Sequence, residues 1–168
     1  MQAVMADKAG RTALFSAIAI PALLWGGAAL VAQRWFGLFP CEMCMWQRWP
    51  HMAALALGLI ALLLRNQPVS RLLVALAALA IAVSGAIGLF HAGVEYHWWQ
   101  GFTQCTSNAG SSGDFMKDIM SAPLVRCDVA PWTLAGISLA GFNAIFSVAG
   151  AIWIAVLLMK NKAPAYAA

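Results

Sequence analysis

The chain has 168 residues, of which 62% are hydrophobic and only 10% are charged, and its formal net charge is +4. A soluble globular domain carries about 25% charged residues, so this composition excludes the ordinary soluble class. The basic residues form no patch with interleaved aromatic residues, so a nucleic-acid partner is not indicated.

Four long uncharged segments follow one another along the chain. A helix needs about 20 apolar residues to cross the hydrocarbon core of a bilayer. The second segment is the shortest, but a helix that begins near Met45 can cross with little tilt. The sequence therefore predicts an all-α integral membrane protein, a four-helix bundle with transmembrane helices near residues 13–33, 46–64, 72–94 and 133–158.

Two other interpretations of these segments are disfavoured. Four buried helices of a soluble protein would leave almost no polar surface to cover them. The first segment is longer than the apolar core of about 7–15 residues that a cleaved signal peptide has. We therefore interpret it as an uncleaved membrane anchor.

The distribution of Lys and Arg predicts the orientation. With four spans, both termini and the 65–71 loop lie on one side, where the only acid is Asp7. By the positive-inside rule this side is cytoplasmic. The whole chain is then a single membrane domain (1–168) with two non-cytoplasmic loops, about 34–45 and 95–131, which are periplasmic if the protein is from the bacterial inner membrane. The basic residues on the cytoplasmic side are Lys8, Arg11, Arg65, Arg71, Lys160 and Lys162.

All four cysteines fall in the predicted outer loops, at Cys41, Cys44, Cys105 and Cys127. An even number of cysteines confined to an oxidising side indicates disulfide chemistry. Structural disulfides, a zinc site and a redox relay are the three interpretations. A Cys₄ zinc site usually has two closely spaced pairs, and here only Cys41 and Cys44 are close in sequence.

The residues that follow the first cysteine pair favour the redox relay. Cys44, Gln47, Arg48 and His51 are spaced at i, i+3, i+4 and i+7, which places them on one face of a helix that begins near Cys41. A helix N-terminus and a nearby arginine both lower the pKa of a thiol. Pro50 predicts a kink in this helix or a later start of its regular part. Arg48 is alternatively an interfacial arginine or a charge that sets topology.

The histidines have competing interpretations. His91 precedes Glu95 by one turn and either orients a ligand or is packed between helices. We interpret His51 as a packed interior residue. His97, which lies beside Trp98 and Trp99 in the sequence, is typical of an interfacial aromatic belt. The 112–120 segment is predicted as a short amphipathic helix that binds either the membrane surface or a partner protein.

The segment "CEMCMWQRW" resembles the signature of the bacterial disulfide bond formation protein B (DsbB) family of quinone-dependent thiol oxidases. The resemblance extends to "GLFHAGVEYHWW", to the distal cysteines and to "CDVAPWTLAGISLAGFNAIFS". It implies redox disulfides Cys41–Cys44 and Cys105–Cys127. It also implies that Cys105 receives the attack of a periplasmic partner, that Cys41 exchanges with the loop pair, and that Cys44 lies next to the quinone.

The function that this resemblance implies is thiol:quinone oxidoreduction in the bacterial inner membrane. The partner would be a periplasmic thioredoxin-like oxidase of the DsbA type, and the cofactor ubiquinone or menaquinone, with Arg48 and His91 as quinone-binding residues. The sequence has no nucleotide-binding or haem motif, which also favours a lipid-soluble acceptor. The alternatives are a vitamin K epoxide reductase-like protein, in which the quinone-side pair belongs to the last span, and a membrane scaffold or channel with structural disulfides.

Overall fold

Four long helices form the protein in this computed structural model, which describes residues 3–101, 106–107 and 124–160. They are α1 (Lys8–Gly26), α2 (Glu42–Leu63), α3 (Val69–Glu95) and α4 (Leu139–Lys160). A 3₁₀ turn, Val4–Ala6, precedes α1, and a π-helical segment, Gly27–Trp35, continues it. Two small antiparallel ladders pair β1 (Thr106–Ser107) with β2 (Leu124–Val125) and β3 (Thr133–Leu134) with β4 (Ile137–Ser138).

Three helical segments within the described residues are long and apolar enough to cross a membrane: Lys8–Trp35, Val69–Glu95 and Leu139–Lys160. These segments confirm the prediction of an all-helical membrane protein. α2 is not one of the three, because Gln47, Arg48 and His51 in its first half lower its hydropathy.

The helices pack in a ring in which α3 contacts α2 and α4, and α1 contacts the same two helices. Small residues permit close approach between α3 and α4. A Cβ atom added at Gly88 would lie 2.9 Å from Asn143 Nδ2 and 3.0 Å from the Ala140 carbonyl oxygen. Membrane helices commonly associate through such small residues, since lipid provides no hydrophobic driving force between them. The buried apolar cluster of the bundle includes Leu14, Ala54, Val74, Ala77, Ile81 and Ile154.

α4 begins at Leu139 and not near residue 133, because a hairpin occupies residues 133–138. Its two-residue turn, Ala135 and Gly136, has positive φ at both positions, as tight hairpins require. The Tyr96 hydroxyl donates to the Gly136 carbonyl oxygen at 2.8 Å and accepts from Ser138 N at 2.9 Å. The Ser138 hydroxyl in turn accepts from Gly141 N at 3.1 Å and caps the helix.

Candidate functional site

The first cysteine pair lies at the start of α2, as the sequence predicted. Cys41 is the N-cap residue, and its sulfur accepts a hydrogen bond from Cys44 N at 3.1 Å. Pro40 precedes the helix, which runs without interruption through Pro50 to Leu63. The two sulfur atoms lie 2.7 Å apart, within reach of disulfide formation.

The two thiols, which precede the predicted apolar span 46–64, differ in acidity. The hydrogen bond between the two sulfurs, followed by burial, raises the pKa of Cys41. The same hydrogen bond is the largest cause that lowers the pKa of Cys44, so Cys44 is the more acidic of the two thiols. From the sequence, we predicted that the helix N-terminus and Arg48 lower the pKa of Cys44. The charge of Arg48 lowers the pKa of Cys44, as predicted, and adds to the larger effect of Cys41.

Cys127 packs against the same pair from the connection between α3 and α4. It is buried in a small cluster with Cys41, Met43 and Val94. Cys105 and the 112–120 segment lie outside the described residues, so the Cys105–Cys127 disulfide and the role of that segment stay predictions.

His91 is fully buried beside the cysteines, with 1% of its surface exposed. Its Nε2 atom lies 3.6 Å from Cys41 Sγ and 3.8 Å from Glu95 Oε1. Its Nδ1 atom lies 2.7 Å from Gln47 Nε2. The ring therefore bridges the cysteine pair and the polar interior of the bundle.

The ligand atoms of Cys41, Cys44 and His91 all lie within 4.8 Å of one another, so these residues are also a candidate metal site. Sulfur ligands of a tetrahedral zinc ion, at about 2.3 Å from the metal, lie roughly 3.8 Å from each other. The two sulfur atoms here are 2.7 Å apart and share a hydrogen bond. The arrangement therefore suits a dithiol better than a metal centre.

A cavity of about 420 Å³ opens beside Cys44. Its walls are apolar and come from α1, the π-helical segment, the first loop and α4. One end carries the polar side chains. The apolar walls include Leu23, Val31, Phe36, Phe39, Trp132, Phe142 and Phe146, and the polar end is formed by Cys44, Gln47, Arg48, His51, His91, Glu95 and Asn143.

The predicted common face of α2 is confirmed, because Cys44, Gln47, Arg48 and His51 all line this cavity. The π-helical segment positions Arg48. The guanidinium donates to Gln33 Oε1 at 2.7 Å and to the Ala28 carbonyl oxygen at 3.4 Å. π-Helical turns are rare and often occur at functional sites.

Sequence reasoning did not find Asn143 or Gln33. Asn143 on α4 hydrogen bonds to Gln47, to Ser84 and to His51, and so joins three helices. A polar amide inside an apolar span is a signal for function or for helix association, and this signal was available in "GFNAIF". His51 is the packed interior histidine that the sequence favoured, with its Nε2 atom 2.9 Å from Asn143 Oδ1.

Comparisons with known proteins agree with this geometry. A family model described as "Disulfide bond formation protein DsbB" matches residues 10–157. An uncharacterized protein of Rickettsia prowazekii (strain Madrid E), RP370, is 24% identical over 139 residues, which cover 80% of each chain. No solved structure gives a significant match.

Proposed function

The chain belongs to the DsbB family of disulfide bond formation proteins, and we propose that it is a thiol:quinone oxidoreductase. It oxidises a periplasmic thioredoxin-like dithiol oxidase of the DsbA type and transfers the electrons to a membrane quinone. The reactive residues are Cys41, Cys44, Cys105 and Cys127. Arg48 donates to the quinone, and His91 lines the quinone cavity with its ring.

The observation that carries this proposal is the different surroundings of the two α2 cysteines. Cys41 packs in one buried cluster with Cys127. Cys44 lines the cavity beside Arg48. A disulfide that only held a loop in place would need neither arrangement. A relay needs both, because one sulfur must exchange with the loop pair and the other must reach the electron acceptor.

The cavity suits a quinone in shape and polarity. Small-molecule pockets are mostly apolar, with a few polar groups that fix orientation. Here the aromatic and aliphatic walls suit the ring and its isoprenoid tail. Arg48, already held by Gln33, would donate to a quinone oxygen. A bound quinone would supply the acceptor for two electrons and two protons.

The chain's own sulfurs account for the transfer of oxidising equivalents. A partner thiolate attacks Cys105, which breaks the Cys105–Cys127 bond and releases the thiol of Cys127. The second partner thiol then displaces Cys105, so the partner gains a disulfide and loses two electrons and two protons. The reduced loop pair passes these electrons to the Cys41–Cys44 disulfide, and Cys44 leaves as the more stable thiolate.

The topology that this function needs places the four cysteines on the periplasmic side of the inner membrane, with α2 as the fourth span. The outward face of α2 supports this, because Met52, Leu59 and Leu63 are exposed while Ala54 and Ala61 are buried. Large apolar residues outside and small residues inside are typical of a helix that faces lipid.

The proposal predicts partner-dependent quinone reduction. Full-length protein in lipid nanodiscs, with a reduced DsbA-type protein and a soluble ubiquinone analogue, should bleach the quinone absorbance with one partner disulfide formed per quinol. The control without partner should be slow. No partner-dependent bleaching with either a ubiquinone or a menaquinone analogue would overturn the proposal.

A second prediction concerns the contact between Cys41 and Cys127. In the double variant Cys44→Ser, Cys105→Ser, mild oxidation should join Cys41 to Cys127 within the molecule, because the two side chains already pack together. Alkylation followed by mass spectrometry measures the yield. The matched variant Cys41→Ser, Cys105→Ser leaves Cys44 and Cys127, and its yield should be several-fold lower. Equal yields in the two variants would contradict the assignment of Cys41 as the exchanging sulfur.

A further inference from the structure

A chain of polar side chains crosses the interior of the bundle and ends at the Cys41 sulfur. Its members are His51 and Gln47 on α2, Asn143 on α4 and His91 on α3. Gln47, His51 and His91 are buried, with at most 6% of their surface exposed. Buried polar groups in a membrane protein are costly unless every donor meets an acceptor, so the direction of each hydrogen bond follows from its neighbours.

Ser84 determines the orientation of the Asn143 amide. Asn143 Nδ2 lies 3.2 Å from the Ser84 carbonyl oxygen, which can only accept a hydrogen bond. Asn143 Oδ1 faces the opposite way, where it accepts from the Ser147 hydroxyl at 3.0 Å and from His51 Nε2 at 2.9 Å. A flipped amide would place two carbonyl oxygens against each other at Ser84.

Two independent contacts determine the orientation of the Gln47 amide. Gln47 Nε2 donates to the Met43 carbonyl oxygen at 3.2 Å. Gln47 Oε1 accepts from Asn143 Nδ2 at 2.9 Å. The amide nitrogen therefore points to His91 Nδ1 at 2.7 Å.

This orientation decides which nitrogen of His91 carries the proton. An amide NH₂ group donates only, so Nδ1 of His91 must accept and carries no hydrogen. A neutral imidazole then has its hydrogen on Nε2, the nitrogen that lies 3.6 Å from Cys41 Sγ and 3.8 Å from Glu95 Oε1.

We propose that Gln47 and Asn143 are positioning residues that hold His91 as its Nε2–H tautomer, so that the ring donates toward the Cys41 sulfur and cannot remove its proton. The proposal rests on the proposed function for its catalytic meaning, but the tautomer is a property of the protein alone. All four hydrogen bonds run in one direction, from His51 through Asn143 and Gln47 to His91 and the sulfur.

The catalytic consequence is that the Nε2–H group of His91 is a fixed hydrogen-bond donor beside Cys41, the sulfur that exchanges with the loop pair. Closure of the Cys41–Cys44 disulfide breaks the Cys41 S–H bond, and the two electrons and the proton that leave the pair would pass to the quinone acceptor, which takes its second proton from solvent. The Nε2–H group then stabilises negative charge on Cys41 as that sulfur closes the disulfide with Cys44. A histidine with a free Nε2 lone pair would instead accept a hydrogen bond from the thiol and would have no donor for a thiolate at Cys41.

The substitution that tests this inference is Gln47→Glu, because a carboxylate can only accept and should move the His91 proton to Nδ1. Reduced full-length protein with ¹⁵N-labelled histidine in nanodiscs, without quinone or partner, is measured by long-range ¹H–¹⁵N correlation. The signals of His91 are identified by their loss in His91→Asn. We expect the Nε2–H pattern in the unaltered protein and the Nδ1–H pattern in Gln47→Glu.

The same variant is measured in the quinone assay. The kcat of Gln47→Glu should fall about tenfold, as expected for one lost hydrogen bond to a charged group, while KM for quinone changes little.

A second variant tests the role of Asn143 without a new charge. Asn143→Leu should release Gln47 and produce a mixture of His91 tautomers. Ser147→Ala is the matched control, because it removes only a donor to Asn143 Oδ1 and should leave the Nε2–H pattern intact. An Nδ1–H pattern in the unaltered protein, or an unchanged pattern in both Gln47→Glu and Asn143→Leu, would overturn the inference. Failure of quinone reduction in the unaltered protein would overturn the proposed function and leave the tautomer result standing.

Discussion

Serine in place of Cys44 is expected to lower the rate of partner-dependent quinone reduction by about a thousandfold or more, because a hydroxyl is a far weaker nucleophile than a thiolate and forms no disulfide. Cys44 is the cysteine that lines the cavity, and its sulfur lies 2.7 Å from the sulfur of Cys41. The measurement is the initial rate of quinone bleaching at saturating partner.

The control for this variant is Trp49→Phe on the same helix, since Trp49 is exposed. Its rate should stay within about twofold of the unaltered protein, as is usual for surface substitutions away from a site. Circular dichroism and thermal unfolding show whether Cys44→Ser is folded. A folded Cys44→Ser variant with substantial activity would exclude Cys44 as the electron donor and leave a structural disulfide as the better interpretation.

Methionine in place of Arg48 is expected to raise KM for quinone about 10–100-fold, which corresponds to the loss of a hydrogen bond from a charged donor worth about 1.5–3 kcal/mol. Methionine keeps much of the side-chain volume and removes every donor. Because Arg48 lies at the polar end of the cavity, kcat should change less than KM. The measurement is a titration of the quinone analogue at fixed partner concentration.

Lysine is the informative comparison at this position. It keeps the charge but lacks the planar fork that lets Arg48 contact Gln33 and the Ala28 carbonyl oxygen together. We expect a KM between those of the unaltered protein and Arg48→Met. An unchanged KM in Arg48→Met would return this residue to the role of an interfacial or topological charge.

Much of the fold followed from the sequence, because uncharged segments of membrane-spanning length have few other stable structures. The start of α4 was predicted too early, near residue 133. The residues 133–138 are apolar enough to extend the span, but the turn at Ala135 and Gly136 and the contacts of Tyr96 with the hairpin stabilise two short strands instead. Periodicity does not report such long-range contacts. The π-helical form of Gly27–Trp35 was also beyond prediction, since no local motif distinguishes it from an α-helix.

The site was predictable where its residues are close in sequence. The spacing of Cys44, Gln47, Arg48 and His51 was enough to place them on one face. The contact of Cys127 with Cys41 joins residues from different loops, and sequence reasoning reached it only through a family resemblance. Asn143 was missed because its partners, Gln47 and Ser84, are distant in the chain, and no pattern in one sequence connects them.

The burial of these sulfurs has a consequence for the lifetime of the protein. Peroxides convert exposed thiolates first to sulfenic acid and then irreversibly to sulfinic acid, and susceptibility follows exposure and thiolate character. Cys41 is 3% exposed and Cys127 6% exposed. Cys44, which is partly buried, lies at the polar end of a cavity whose other walls are apolar. The same packing that brings the sulfurs into contact therefore shields them from the oxidative damage to which a catalyst of thiol oxidation is continuously exposed.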